Sequence, residues 1–120
     1  MNVEVVENAH VVVRVIGDVE LPNIDALREA IETAVSKTSD GFVIDLSDVG
    51  YIDSAGISAL VFAYRRINPS GGKLAVVIAD KNVRRIISIT RLDTLPGICI
   101  FEDITSAKNY LTNEPDDQPS

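Results

Sequence analysis

Residues 42–67 constrain the fold more than any other part of the chain. They begin with the apolar run Phe42-Val43-Ile44, pass through a polar connection to Asp53 and Ser54, and continue as a repeat of apolar residues at helical spacing. A short apolar run that gives way to a 3.6-residue period predicts a buried strand leading into a helix. The small hydroxyl of Ser54 should therefore lie at the first turn of that helix.

Two roles are open to Ser54 on chemical grounds. A serine before a helix commonly caps it, because its side-chain oxygen accepts a hydrogen bond from a free backbone N–H. The same free N–H groups and the helix dipole favour an anion at this end, so the hydroxyl is also a candidate for phosphorylation. Taken alone, Ser54-Ala55-Gly56 favours the cap.

The surroundings of Ser54 favour phosphorylation instead. Ile44-Asp45-Leu46-Ser47, a short gap, and residues 51–57 together resemble the signature of the STAS family, in its bacterial anti-sigma factor antagonist branch. The resemblance continues over nearly the whole chain but does not reach residues 113–120. Three further segments carry it: residues 17–20, 71–74 and 83–92.

This resemblance implies both a fold and a function. The fold is α/β, with a mostly parallel central sheet, an antiparallel N-terminal strand and about four packed helices. In this family the serine after the Asp, here Ser54, is phosphorylated. The unphosphorylated protein binds an anti-sigma factor that is itself a serine kinase, and so releases a sigma factor. Phosphorylation ends that complex, and a metal-dependent serine phosphatase restores the hydroxyl.

The chain departs from the family pattern at two places. The run after Gly17 ends in Glu20, where the family usually has Asp, which weakens the case for an acidic surface there. The later helix ends in Thr90-Arg91-Leu92, where the family commonly has Ser-Gly-Leu. Neither departure touches the predicted phosphoacceptor.

The helix that follows Ser54 adds a predicted docking row. If its larger apolar residues form an inward stripe, Ser58, Phe62 and Arg66 fall on the outward side, starting one turn from Ser54. An outward phenylalanine beside arginine is typical of protein-binding surfaces, although Phe62 would equally fit under a neighbouring helix or loop. The inward stripe is Ile57, Leu60, Val61, Tyr64 and Ile67. The predicted partner-binding residues are Asp18, Glu20, Asp53, Ser54, Ala55, Gly56, Ser58, Phe62 and Arg66.

Composition narrows the classes of function. The chain has 120 residues, 46% of them hydrophobic, and one domain of this size can bury its own core. Its net charge of −7 argues against binding to nucleic acid or to an anionic membrane surface. The sequence shows neither a secretory signal nor an apolar run long enough to span a bilayer. We therefore expect a cytoplasmic protein. Cys99, the single cysteine, lies in the apolar run of residues 98–101 and should be a buried strand residue.

Periodicity predicts the order of the elements. Two β-branched runs, at residues 3–6 and 11–16, should form a hairpin. Helical patterns then alternate with apolar strands at residues 42–46, 74–78 and 98–101, which is typical of a mainly parallel sheet between helices. The STAS domain should comprise residues 1–112. Residues 113–120 are acidic, contain two prolines and should be disordered.

No catalytic or cofactor site is predicted. His10 is the single histidine, so neither a Ser-His-Asp arrangement nor a histidine-based metal site can be assembled. The glycines match no dinucleotide-binding or phosphate-loop motif. Carboxylates at Asp18, Glu20, Asp45, Asp48 and Asp53 would suit Mg²⁺ if they met at one edge, but capping and solvated loop positions are the commoner roles.

Two other functions remain open at this level. The chain would also fit a STAS interaction module of another assembly, such as a stressosome-like signalling complex or a lipid-transport machine. A phospho-aspartate receiver has similar length and alternation, but it requires a lysine after the last strand, and residues 98–103 contain none.

Overall fold

The computed structural model describes residues 1–112, which form five β-strands and four α-helices. Short 3₁₀ turns at Leu21–Asn23, Asn68–Ser70 and Leu92–Thr94 connect some of them. The predicted tail, residues 113–120, lies outside the described part of the chain. The elements in chain order are β1 (Asn2–Glu7), β2 (Val11–Ile16), α1 (Ile24–Lys37), β3 (Gly41–Asp48), α2 (Ser54–Ile67), β4 (Lys73–Ile78), α3 (Lys81–Thr90), β5 (Ile98–Phe101) and α4 (Ile104–Thr112).

The five strands form one sheet in the order β1-β2-β3-β4-β5. β1 pairs antiparallel with β2, and every other neighbouring pair is parallel. This arrangement confirms the predicted α/β fold with an antiparallel first strand. It also shows that the receiver alternative is wrong, because that fold has the strand order 2-1-3-4-5.

Helices cover both faces of the sheet. Side chains alternate between the two faces along a strand; Val13 and Ile44 belong to the core that includes the buried residues of α1, α2 and α3. Val12 and Val43 belong to a smaller core with Ala107 of α4. Coverage on both sides explains why β3 and β4 are almost continuously apolar. No helix within residues 1–112 is long and apolar enough to cross a bilayer.

Helix α2 is rotated relative to the predicted inward stripe. Of the five residues expected inside, only Leu60 and Ile67 are buried, whereas Ile57, Val61 and Tyr64 are half-buried. The helix lies close to the sheet, so small residues occupy the centre of the contact and larger ones flank it. The other buried positions are Gly56, Ala59 and Ala63.

One residue of β5 differs from expectation, and the end of α3 agrees with it. Cys99 is only half-buried, because β5 is the last strand of the sheet. Helix α3 ends at Thr90, and Arg91 adopts a left-handed conformation with φ of 62°. Glycine is favoured in that conformation at helix ends, so Arg91 stands where the resemblance to the STAS family implies a glycine.

Candidate functional site

The candidate site lies where β3 gives way to α2. Asp53 precedes the helix in an extended conformation, and its Oδ1 accepts hydrogen bonds from the N–H groups of Ala55 at 2.9 Å and Gly56 at 3.2 Å. These N–H groups have no partner within the helix. Asp53 is therefore the N-cap of α2, as expected for an aspartate in this position.

Ser54 is the first residue of α2 and not its cap. Its side chain is exposed, and within residues 1–112 its hydroxyl forms no hydrogen bond. The interpretation of Ser54 as the capping residue is therefore wrong, because Asp53 already satisfies the N–H groups that a capping serine would bond. The hydroxyl remains free to react with a partner molecule.

The loop between β2 and α1 forms hydrogen bonds with the start of α2 and the residues before it. The N–H of Val19 donates to the carbonyl of Tyr51 at 2.9 Å, and the N–H of Asp53 donates to the carbonyl of Val19 at 3.1 Å. The N–H of Leu21 donates to Asp53 Oδ2 at 3.0 Å. The Asp53 carboxylate thus joins the start of α2 to the loop between β2 and α1.

These hydrogen bonds stabilise the ionised form of Asp53. The N–H of Leu21 makes the largest contribution to holding the pKa of Asp53 below its ordinary value; partial desolvation opposes it, and the N–H groups of Gly56 and Ala55 reinforce it. A carboxylate that accepts several backbone N–H bonds is expected to behave in this way. Asp53 therefore adds a fixed negative charge beside Ser54 at neutral pH.

Gly56 allows the first turn of α2 to lie against the segment below it. A Cβ built on Gly56 would lie 2.3 Å from Ile52 Cγ1 and 2.9 Å from Val19 Cγ1, and both of those residues are buried. Any other residue would force the Ile52 and Val19 side chains to move. Gly56, predicted as a partner-binding residue, is itself buried, and the structure gives it a packing role.

The acidic residues of the first loop flank the site. The side-chain amide of Asn23 donates to the carbonyl of Asp18 at 3.2 Å, and its oxygen accepts the N–H of Glu20 at 3.0 Å. Asn23 thereby fixes the loop while the Asp18 side chain stays exposed and that of Glu20 is half-exposed. Both carboxylates belong to the loop that Leu21 ties to Asp53.

The predicted docking row does not form a single outward surface. Ser58 and Arg66 are exposed, but Phe62 is half-buried between α1 and α2, with the Arg28 guanidinium 4.3 Å from its ring centroid and that of Arg66 at 5.9 Å. Arg66 also pairs with Glu32 of α1. The rotation of α2 turns Phe62 toward α1, so of the two positions left open for this ring the structure shows the one against a neighbouring helix.

Comparisons with known proteins give the family. The STAS domain family matches residues 1–107. The chain belongs to the STAS family. It is 28% identical over 99 residues to the anti-sigma-B factor antagonist of Bacillus subtilis (strain 168), covering 82% of this chain and 90% of that protein.

Solved structures of other proteins share the fold. An anti-sigma factor antagonist from Mycobacterium paratuberculosis superimposes with a TM-score of 0.82 at 28% identity, covering 93% of this chain and 94% of the other. The phosphorylated form of the Bacillus cell fate determinant SpoIIAA gives a TM-score of 0.65, with coverage of 91% and 97%. At 16% identity the latter likeness concerns the fold alone.

Sequence analysis did not identify two exposed apolar side chains near the start of α2. The Leu21 side chain is 68% exposed and Tyr51 is 47% exposed. The backbone N–H of Leu21 donates to the Asp53 carboxylate, and the backbone carbonyl of Tyr51 accepts the N–H of Val19. The backbones of both residues therefore lie close to the start of α2. The sequence did contain a signal for them. Leu21 and Tyr51 are large apolar residues in predicted turns, where they belong to no helical or strand pattern and so would not be expected in the core.

The five acidic residues considered for Mg²⁺ are not gathered into one site. Asp53 caps α2, and Asp48 pairs with Arg14 at 3.2 Å. Asp45 is only 6% exposed, and its Oδ1 accepts the N–H of Ser47. Residues 1–112 contain no group of three or more histidine, cysteine or acidic side chains arranged to hold a metal ion.

Proposed function

We propose that this chain is an anti-sigma factor antagonist switched by phosphorylation at Ser54. In its unphosphorylated form it binds an anti-sigma factor that is a serine kinase, and a sigma factor is released. Transfer of phosphate to Ser54 ends the complex, and a serine phosphatase reverses the change. The observation that carries the proposal is the exposed, unbonded Ser54 hydroxyl beside the capping carboxylate of Asp53.

The hydrogen bonds of Asp53 suggest how the switch would work. Because Asp53 already occupies the N–H groups of Ala55 and Gly56, a phosphate on Ser54 would project toward solvent and would not displace the cap. It would add about −1.5 to −2 charges at neutral pH. Together with Asp53 and the exposed Asp18, this charge would repel an acidic partner surface and raise the cost of desolvating the interface.

The switch therefore requires no change of fold. The loop, the cap and the packing of Gly56 are all independent of the Ser54 hydroxyl. Two related proteins agree with this scheme in what their names state: one antagonises an anti-sigma-B factor, and SpoIIAA has a phosphorylated form with the same fold. For this chain the scheme is our proposal.

Leu21 and Tyr51 would supply the apolar part of the partner contact. Both are large and exposed, and their backbones bond to the segments that meet at the start of α2, Leu21 to Asp53 and Tyr51 to Val19. Apolar and aromatic side chains at the centre of an interface commonly contribute most of the binding energy. We therefore place the docking surface around Leu21, Tyr51, Ser54 and Ser58.

Affinity capture followed by phosphorylation tests the proposal. The full chain, Ser54→Ala and Ser54→Asp are each used as bait, and bound proteins are identified by mass spectrometry. We expect an anti-sigma factor kinase on wild type and Ser54→Ala, and a weaker signal on Ser54→Asp. Recovery of a lipid-transport complex or a stressosome-like assembly in its place would contradict the proposed function.

Incubation with that kinase and ATP then locates the phosphate. Peptide mapping should find it on Ser54, and Ser58→Ala serves as the matched control because Ser58 is exposed one helical turn away. Wild type and Ser58→Ala should be labelled equally, whereas Ser54→Ala should not be labelled. Label confined to Ser58 or Ser47 would refute the assignment.

A further inference from the structure

A basic cleft lies between α3 and β5. It has a volume of about 350 Å³, and Ile87 and Ile100 form its apolar floor. Lys81, Arg84 and Arg85 supply its charge, and Ser88 supplies a hydroxyl. A cleft of this kind combines apolar area with a few polar groups, as binding sites commonly do.

The charge of this region is opposite to that of the whole protein. Residues 81–91 contain four basic residues and no acidic one, while the chain as a whole has a net charge of −7. Within residues 1–112, Lys81 and Arg85 form no ion pair, whereas Arg84 lies 3.5 Å from Glu102. Asp93 is the single acidic residue in the lining. The cleft therefore favours an anionic ligand.

The adjacent strand offers backbone hydrogen bonds as well. β5 is at the end of the sheet, so one side of it has no neighbouring strand in the described part of the chain. The carbonyl of Gly97 accepts the N–H of Leu74, and therefore faces β4. By alternation the backbone groups of Ile100 face away from β4. An extended segment beside β5 would find a donor and an acceptor there.

We propose that this cleft binds an extended acidic segment of a partner protein, which adds as a strand to β5. Strand addition to an open sheet edge is a common mode of peptide recognition, in which the backbone gives affinity and alternate side chains give specificity. Side chains of the added strand that face α3 would meet Lys81 and Arg85. The segment should therefore carry acidic residues at every second position.

The opposite edge of the sheet has the wrong charge for the same ligand. β1 carries Glu4 and Glu7 and no basic residue, so it would repel an acidic strand. Exposed apolar surface also distinguishes α3, since Ile89 is 69% exposed on that helix. Both β1 and β5 are edge strands, but only β5 has basic side chains beside its open edge.

The test uses a fluorescent peptide of roughly eight residues in which glutamate and valine alternate, long enough to extend past the pairing region. Binding to the full chain is followed by fluorescence anisotropy at low and at physiological salt. Lys81→Glu and Arg85→Glu should each weaken binding by about threefold to tenfold. Arg14→Glu is the matched control, because it makes the same charge change on β2 and should leave binding unchanged. Melting curves check that each variant is folded.

Two N-methylated peptides test the strand pairing on the ligand side, where the fold of the protein is not at risk. In one peptide the backbone nitrogens of the odd-numbered residues are methylated, which removes the hydrogen-bond donors along one edge of the peptide strand. In the other peptide the even-numbered residues are methylated, which removes the donors along the opposite edge. One of the two methylated peptides should fail to bind, and the other should bind like the unmethylated peptide. In an NMR titration of the protein with the unmethylated peptide, the backbone amide signal of Ile100 should shift. Equal binding of both methylated peptides would overturn strand addition.

Other outcomes would assign the cleft to a different occupant and overturn the proposal. Inorganic phosphate or ATP that binds more tightly than the peptide, with the same dependence on Arg85, would indicate a small anion. Self-association of the chain that Arg85→Glu abolishes would indicate a second copy. An alternating lysine–valine peptide that binds as well as the acidic one would remove the role of charge.

Discussion

Helices α2 and α3 begin in the same way but in different surroundings. Each follows a parallel strand, and each is capped by an aspartate. Asp80 Oδ1 accepts the N–H groups of Asn82 at 2.8 Å and Val83 at 3.0 Å, just as Asp53 accepts those of Ala55 and Gly56. The cap alone therefore does not define a functional site.

The two helix starts differ in which other segments of the chain contact the capping aspartate. Asp53 also accepts the N–H of Leu21 from a remote loop, which brings exposed apolar side chains and carboxylates to the start of α2. The first residue of α2 is Ser54, whereas the first residue of α3 is Lys81. One helix start thus becomes a candidate phosphorylation site in acidic surroundings, and the other opens a basic cleft.

The largest effect on stability should come from Gly56, which exists at α2 and has no counterpart at α3. Gly56→Ala places a methyl group against the buried Ile52 and Val19. We expect overpacking to cost about 1–3 kcal/mol, offset by at most about 1 kcal/mol from the better helix propensity of alanine. Urea unfolding monitored by circular dichroism measures the difference.

Gly50→Ala is the matched control for that substitution. A Cβ at Gly50 would meet nothing within 4 Å, so the same chemical change should be neutral or should stabilise by up to about 1 kcal/mol through the unfolded state. If Gly56→Ala were as harmless as Gly50→Ala, close packing would not position the start of α2.

Removal of the two caps gives the most direct comparison. Asp53→Ala and Asp80→Ala each leave two helix N–H groups without a partner, but Asp53→Ala also releases the N–H of Leu21. We expect Asp53→Ala to lower the Tm by about 5 °C or more, and Asp80→Ala to lower it by less. Equal shifts would mean that the Leu21 bond contributes nothing to stability.

The charge of Asp53 also predicts a dependence on pH. Its folded-state pKa lies below the ordinary aspartate value of 3.8, mainly because of the Leu21 N–H. Its stabilising contribution is therefore complete above that ordinary pKa and is lost as the pH falls through the lower, folded-state pKa. Asp53→Asn should be less stable than wild type at neutral pH, and this gap should narrow in acid. A constant gap from pH 7 to strong acid would contradict the assignment.

Local patterns predicted the elements well and their mutual contacts poorly. The predicted start of α2 at Ser54 and the strand at residues 74–78 are confirmed almost to the residue, because periodicity and turn residues act over a few positions. The Leu21–Asp53 bond joins residues 32 apart. No local pattern contains that information, so the sequence did not predict that the Asp53 carboxylate joins the start of α2 to the first loop.

The depth of each side chain was missed for a related reason. Hydrophobicity placed Ile57 and Tyr64 at the centre of the buried face, whereas the close approach of α2 to the sheet favours Gly56, Ala59 and Ala63 there. Size, and not only polarity, decides which residue occupies a narrow contact. The same rotation carried Phe62 from the predicted outer row to the contact with α1.

The packing between α1 and α2 offers a smaller effect. Arg28 lies over the Phe62 ring, so a double-mutant cycle with Arg28→Ala and Phe62→Ala should show a coupling of about 0.5–1 kcal/mol. Denaturant unfolding of the two single variants and the double variant gives this value. Arg85→Ala, an exposed change on α3, should show no coupling to Phe62→Ala. A coupling of zero for Arg28 would remove the cation–π contact from the account.

The smallest effect is expected at Ser54 itself, and it separates the two roles first considered for this residue. A capping serine would lose about 0.5–2 kcal/mol on replacement by alanine. Ser54 is exposed and bonded to nothing in the described chain, and alanine has the higher helix propensity, so Ser54→Ala should change the free energy of unfolding by less than about 0.5 kcal/mol. Asp53→Ala, measured beside it by urea unfolding, supplies the signal of a true cap loss. A cost at Ser54 equal to that at Asp53 would restore the serine as a cap, and would remove the free hydroxyl on which the proposed switch depends.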